Sequence, residues 1–229
     1  MKKSIVLATA VAAVLTSGIA AADLSANAGV FSNYIWRGVS QTADSAAGQG
    51  GIDWGNDSGV YAGVWTSTIA GGQEVDVYAG LAGEAGDIGY DLGVITYQYP
   101  KSPNINFTEI YASGTFSLVT VGVAYTVDAA SGNDGATFDS GDMYVNGSID
   151  YTVGKSDVSV YAGAYMFDND GGTAGEADYS HYGVSLSKDG FTFALDKNDI
   201  EVGDALDGVA GPNSDAVRFT VSYAMDFEL

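Results

Sequence analysis

The sequence predicts an all-β chain: a single antiparallel transmembrane β-barrel of about 12 strands, with short periplasmic turns and longer extracellular loops. Three observations predict it. Apolar and polar residues alternate with a period of two in segment after segment. The connections between those segments run alternately long and short. A segment with the layout of an export signal precedes them all.

The export segment begins with Met1, Lys2 and Lys3, a basic start. An apolar run from Ile5 to Leu15 follows, then Thr16, Ser17 and Gly18, and then the small residues Ala20, Ala21 and Ala22. This is the pattern of a signal peptide over residues 1–22, cleaved before Asp23, with the barrel over 23–229. The apolar run is too short to remain as a membrane-spanning helix. Asp23 stands where a lipid-bearing Cys would be needed, and the chain has no Cys, so neither a lipid anchor nor a disulfide scaffold is expected.

The chain carries 29 acidic against 8 basic residues, a net charge of −21. Loss of Lys2 and Lys3 takes the mature chain to about −23. Such a surface repels nucleic acid, which needs clustered Lys and Arg. It also repels anionic headgroups unless divalent cations bridge the two. With 46% hydrophobic residues the chain is too apolar for an acidic disordered polymer. No stretch after residue 22 approaches the length of a membrane helix, so insertion in a bilayer requires a closed barrel.

Period two is clearest at the end of the chain. Val217, Phe219, Val221, Tyr223, Met225, Phe227 and Leu229 alternate with Arg218, Thr220, Ser222, Ala224, Asp226 and Glu228. The same pattern recurs at Val75–Leu81, Ile88–Val94, Val119–Val127, Met143–Val153, Val158–Ala164 and Phe191–Leu195. Twelve strands are expected near 24–38, 48–55, 59–68, 73–83, 87–99, 105–114, 116–127, 142–153, 156–167, 179–187, 190–197 and 215–229. The short connections lie near residues 56–58, 84–86, 114–115, 154–155 and 187–189; the longest are 128–141, 168–178 and 198–214. With the start of the first strand in the periplasm, every short turn is periplasmic. A soluble β-sandwich also alternates, but it has no reason to sort loop length by side.

Aromatic residues on the apolar parity fit two interfacial girdles. Trp36 and Tyr125 are expected outward at the loop ends of their strands, and Trp54, Tyr90, Tyr151, Phe191 and Phe227 near the turn ends.

Three early segments carry a family resemblance: Asn33–Thr42, with Trp36-Arg37-Gly38-Val39-Ser40 at its centre; Gln49–Trp54; and Gly59-Val60-Tyr61-Ala62-Gly63-Val64-Trp65. In order and spacing they resemble the TorF family of porins, also described as the Gcw_chp family of proteobacterial proteins. The resemblance implies an outer-membrane barrel, a channel, and extends over the mature chain. It implies no particular solute. Outer-membrane barrels often end in an aromatic residue. Here Leu229 is last, and Phe227 holds the same parity.

On the polar parity side chains should face the lumen. That set is acidic: Asp53, Glu74, Asp76, Asp91, Asp150, Asp196, Asp226 and Glu228, against Arg37 and Arg218. The first and last strands of a closed barrel are neighbours, so Arg37 and Arg218 are expected together, inside, near the outer mouth. There they either set ion selectivity or pair with acids to hold the barrel shut. Lumenal Tyr61, Tyr78, Tyr144, Tyr161, Tyr165 and Trp65 either stack sugars or fill space. The long loops hold Asp128, Asp134, Asp139, Asp142, Asp168, Asp170, Glu176, Asp178, Asp199, Glu201, Asp204, Asp207 and Asp215. Asp168-Asn169-Asp170-Gly171 starts like a calcium loop, but Tyr179 stands where the twelfth-position Glu is needed, so no dedicated metal site is expected. Loose divalent cations bridging these loops to lipopolysaccharide are the expected cation chemistry.

His181 is the single histidine. Ser180 points to the opposite face of its strand and Ser185 is four residues on, so no Ser–His pair forms and no catalysis or cofactor is expected. Two functions fit. One is a narrow porin for small solutes with an acidic, cation-leaning lumen. The alternative is a closed structural or surface-adhesive barrel acting through its acidic extracellular loops. Expected partners are membrane lipid and lipopolysaccharide, small solutes or ions, and the outer-membrane assembly machinery through the C-terminal strand. The expected location is the outer membrane of a Gram-negative bacterium.

Overall fold

A computed structural model describes residues 23–130, 138–168, 177–201, 203–204, 206–207 and 214–229. The expected signal peptide, Asp134, Asn169–Gly171 and Glu176 lie outside the described residues.

The strands in chain order are β1 (Asp23–Phe31), β2 (Ile35–Trp36), β3 (Val39–Ser40), β4 (Ala47–Gly55), β5 (Val60–Ile69), β6 (Gly72–Ala85), β7 (Ile88–Gln98), β8 (Phe107–Phe116), β9 (Val119–Ala129), β10 (Met143–Val153), β11 (Ser156–Met166), β12 (Tyr179–Lys188), β13 (Phe191–Asn198) and β14 (Arg218–Glu228). Among the described residues, β1 and β4–β14 form one closed antiparallel barrel of 12 strands. It closes because β1 pairs on both sides: Ala28 faces Gly50 of β4 and Met225 of β14. Closure removes the free strand edges that lipid cannot satisfy. β2 and β3 stand apart as a small hairpin of their own.

The connections sort by end. At the end where β1 begins, strands are joined through Asn56–Gly59 or by the pairs Gly86-Asp87, Ser117-Leu118, Gly154-Lys155 and Asp189-Gly190. Asp189 and Gly190 both sit at positive φ, 51° and 83°, the pattern of a type I′ turn that matches the twist of its strands. At the other end all loops but one are long; the exception is Ala70-Gly71.

Val64, Val77, Leu92, Ile110, Val121, Ile149, Val160, Phe193 and Phe219 all point outward and are exposed. So many exposed apolar side chains around a whole circumference far exceed the patch a water-facing protein carries. They make the lipid-facing band of a membrane barrel. Trp54, Tyr125, Tyr151, Phe191 and Phe227 are exposed on it, as the girdle reading expected.

The inner wall is built on a Tyr–Gly pairing across strands. Tyr61-Ala62-Gly63 of β5 runs antiparallel to Tyr78-Ala79-Gly80 of β6, so Tyr61 faces Gly80 and Tyr78 faces Gly63. The phenol end of each ring occupies the space a side chain at the glycine would need. Tyr111 over Gly93 and Tyr161 over Gly183 repeat the device. The tyrosines are therefore laid along the wall.

The first expected strand, 24–38, is the main difference. β1 ends at Phe31, and residues 32–46 turn into the lumen carrying β2 and β3. Trp36, expected outward, is buried among inward-facing rings. The reason is the reversal at Arg37 and Gly38, with φ of 48° and 80°, which strand alternation does not register.

Candidate functional site

The inward segment is stitched by its own polar side chains. Asn33 Oδ1 accepts from Ser40 Oγ at 2.7 Å and Thr42 Oγ1 at 2.8 Å, while its Nδ2 donates to Asp44 at 2.8 Å. The Gln41 amide donates to the Tyr34 carbonyl at 2.7 Å. Between these ties β2 and β3 project as a hairpin with Arg37-Gly38 at the tip. Two consecutive positive-φ residues make the I′ pattern. Only glycine suits position 38, because a Cβ there would overlap the Cβ and Cγ of His181. Arg37 is not glycine; such a conformation costs about 1–3 kcal/mol and persists only where its surroundings impose it.

They do. The Arg37 guanidinium makes a two-pronged ion pair with Glu109 of β8, at 2.8 and 2.6 Å. It lies 4.2 Å from the ring centre of Tyr144, 4.3 Å from Trp36 and 4.9 Å from Tyr165. Planar guanidinium suits both carboxylate and ring faces. Tyr97 donates to the same carboxylate at 3.3 Å. Asn198 of β13 donates to the Gly38 carbonyl at 2.9 Å, and Tyr34 donates to Glu74 of β6 at 2.8 Å. β8 lies nearly opposite β1 around the wall, so the hairpin bridges the bore from side to side. An aromatic pack surrounds it: Trp36 meets Tyr97, Phe107 and Tyr165 edge-on at 5.7–6.2 Å, and Phe107 stacks on Tyr97 and Phe138.

Beside this pair Asp76 is fully buried, and neither of its carboxylate oxygens has a hydrogen-bond partner. It feels the charges of Glu74 and Glu109. Three carboxylates thus gather near one guanidinium. Among the described residues no group of three His, Cys, Asp or Glu is placed to hold a metal ion.

Below the hairpin the lumen keeps a cavity of about 540 Å³. It reaches from Ile35–Gly38 down to Glu84, Thr115, Ser187 and Thr192, each within one or two residues of the short turns. On its wall Tyr61 donates to Asp91 at 2.6 Å and bonds to Tyr111. Tyr161 donates to Asp196 at 2.6 Å, and Tyr78 to Asp53.

Of the residues read from sequence as lumenal, Asp53, Glu74, Asp76 and Asp196 are buried inside. Asp91 and Asp150 are half-buried, the latter accepting from Ser148 at 2.7 Å, and Asp226 and Glu228 are exposed at the short-turn end. The expected meeting of Arg37 with Arg218 does not occur. The hairpin carries Arg37 across to β8, while Arg218 stays on β14, bound to Asp44 at 2.8 Å and to the Ser214 carbonyl at 2.8 Å. Trp65 packs on Tyr34 at 5.5 Å. His181 is buried, bonded through Nε2 to the Tyr144 hydroxyl at 2.8 Å and stacked on that ring. In the loops, Asp142 accepts the amides of Asp139 and Asp168 at 2.9 Å each.

Glu109, Asp44 and Tyr34 escaped the sequence reading. The alternation of Glu109 and Tyr111 with Ile110 and Ala112 carried a signal for Glu109. A register shift between Thr108 and Glu109 weakens it.

A family model described as "Bacterial protein of unknown function (Gcw_chp)" matches residues 16–222. No curated protein matches the sequence. Among solved structures the barrel is similar to the KdgM porin, with a TM-score of 0.54 at 11% identity over 90% of this chain and 99% of that one. It is similar to the NanC porin, with 0.52 at 14% identity over 89% and 97%. A KdgM porin in complex with disordered oligogalacturonate gives 0.53 at 9% identity over 90% and 99%. At these identities the likeness is one of fold.

Proposed function

The chain belongs to the Gcw_chp family of bacterial proteins, and from that premise we propose that it is a narrow porin of the Gram-negative outer membrane with an acidic, cation-leaning lumen. The observation that carries this reading is the bore itself: a closed barrel whose lumen, bridged by the Arg37 hairpin, still holds a cavity running to the short-turn end. Twelve strands fall between eight-stranded barrels filled by side chains and wide sixteen-stranded pores. The hairpin narrows that bore further. Arg37 and Arg218 each pair with an acid, so the carboxyl groups of Asp91 and Asp196 give the cavity wall its acidic character, with Asp53, Glu74 and Asp76 packed behind it. Carboxylates at a constriction favour cations over anions. Asp150 and Asp226 add to this field nearer the short turns. The porin names of the similar barrels support the same reading, as does the resemblance to the TorF family.

In this reading residues 1–22 are a cleaved signal peptide, the short turns are periplasmic and the long loops extracellular. The β14 strand, ending at Phe227 and Leu229, meets the assembly machinery. The acidic loops contact lipopolysaccharide through divalent cations. The channel performs no catalysis.

Swelling of proteoliposomes in neutral sugars tests the proposal. Monosaccharides should enter and trisaccharides should not. Vesicles carrying folded barrel that admit no sugar would favour the second reading, a closed barrel working through its loops. The aromatic pack around Trp36 near the long-loop mouth favours that alternative.

A further inference from the structure

The cavity beneath the hairpin has a chemical character of its own. Its volume, about 540 Å³, lies within the range of small-molecule sites. We propose that it binds a small organic cation, an ammonium or guanidinium compound, entering from the short-turn end.

The first argument is the balance of donors and acceptors. Tyr61 spends its hydroxyl proton on Asp91, and Tyr161 spends its own on Asp196. Each carboxyl group is thereby oriented and keeps further lone pairs. Gln49, an unpartnered donor on the lining, is an exception. The serines and threonines opposite each donate one hydrogen and offer two lone pairs. A surplus of acceptors selects a ligand rich in donors: an ammonium brings three and a guanidinium five.

The second argument is charge. The acids on the lining are Glu84, Asp91, Glu109 and Asp196. Arg37 is the cationic side chain among the lining residues, and Glu109 neutralises it. Glu84 and Asp91 remain to meet a cation, together with Asp196, which also faces Arg218 across the β13–β14 pair. A polyanion such as the oligogalacturonate held by the similar KdgM porin would find the wrong sign here. The third argument is the rings. Tyr61, Tyr111 and Tyr161 line the cavity, and phenol faces attract cations.

This site deepens the channel reading but is read by binding, independently of conduction. The refolded mature barrel in detergent micelles is titrated by calorimetry with arginine amide, glucose and galacturonate. Arginine amide should bind at least tenfold more tightly than either sugar. Asp91→Asn keeps an acceptor for Tyr61 but removes the charge, and should weaken arginine amide about tenfold. Asp196→Asn should act in the same direction. Asp128→Asn, on the exposed outer end of β9, should change nothing. Glucose binding as tightly as arginine amide would overturn the proposal. So would cation binding unaffected by Asp91→Asn and Asp196→Asn, or no binding to barrel of intact β circular dichroism. Binding without conductance would support the site and sink the channel; conductance without cation binding would sink the site alone.

Discussion

Glu109→Gln tests what holds the hairpin across the bore. The side chains of Arg37 and Glu109 are only 7% and 1% exposed, so water screens the pair little. Glutamine keeps the shape and an acceptor but removes the charge, leaving the guanidinium buried without a counterion. Removing one partner of a buried pair costs about 3–5 kcal/mol. The three rings around Arg37 attract it before and after the change, so they do not offset the loss. For a protein of this size each 1 kcal/mol moves Tm by about 2–4 °C, so a barrel that keeps its hairpin docked should lose roughly 6–20 °C. The hairpin has another course. β2 and β3 pair over only two residues each, and undocking lets Arg37 reach water. The loss in Tm is then smaller and the lumen wider. Thermal unfolding by circular dichroism and single-channel conductance, read on one preparation, separate the two courses. The double variant Arg37→Met, Glu109→Leu should recover most of any lost stability, since apolar replacement of a buried pair is often neutral. A Glu109→Gln protein matching its parent in both Tm and conductance would refute the claim that this pair secures the hairpin.

Other outcomes follow from the same geometry. Gly80→Val places a side chain where the Tyr61 phenol and the Leu92 carbonyl sit, so the ring must swing into the cavity and the strands must shift. Stability should fall by about 1–3 kcal/mol in urea titration and conductance should drop with it. Val64→Arg, midway along β5 on the lipid face, should cost about 2–4 kcal/mol, whereas Val60→Arg beside the turn should cost about 0–1 kcal/mol. Equal costs would count against the membrane placement. Burial pushes the Asp142 carboxyl up from 3.8 to about 6, helped by the Asp139 and Asp168 carboxylates. The folded loop therefore binds its proton more tightly than the unfolded chain, and stability is lost as pH rises through 6. Hydrogen-exchange protection of the Asp139 and Asp168 amides should fall between pH 4 and pH 7. A profile flat across that range would count against this.

Most of the barrel was legible in the sequence, because in a membrane barrel the period-two pattern reports a face. The strand expected at 73–83 is β6, Gly72–Ala85, and that expected at 215–229 is β14, Arg218–Glu228. Loop sorting was legible because the two ends of the barrel meet different constraints. The hairpin was not. Residues 32–38 read as a continuation of β1, and their reversal depends on Arg37 adopting positive φ, which Glu109 imposes from 72 residues away. The motif Trp36-Arg37-Gly38-Val39-Ser40 carried the family resemblance without revealing its role. In the fold it is the tip of the hairpin: Gly38 fits against His181, and Arg37 reaches the far wall. The lumenal tyrosines were placed on the right face, but their spacing alone did not show that Gly63 and Gly80 receive them. That follows once register sets Tyr61 opposite Gly80.

The central claim, a narrow and cation-selective pore, is tested most directly by planar-bilayer recording of the refolded mature barrel in a salt gradient. Discrete steps, smaller than those of a sixteen-stranded porin in the same salt, with a reversal potential of cation sign that shrinks in Asp91→Asn, are the predicted result. Anion selectivity, or silence from protein shown to be folded and inserted, would contradict it.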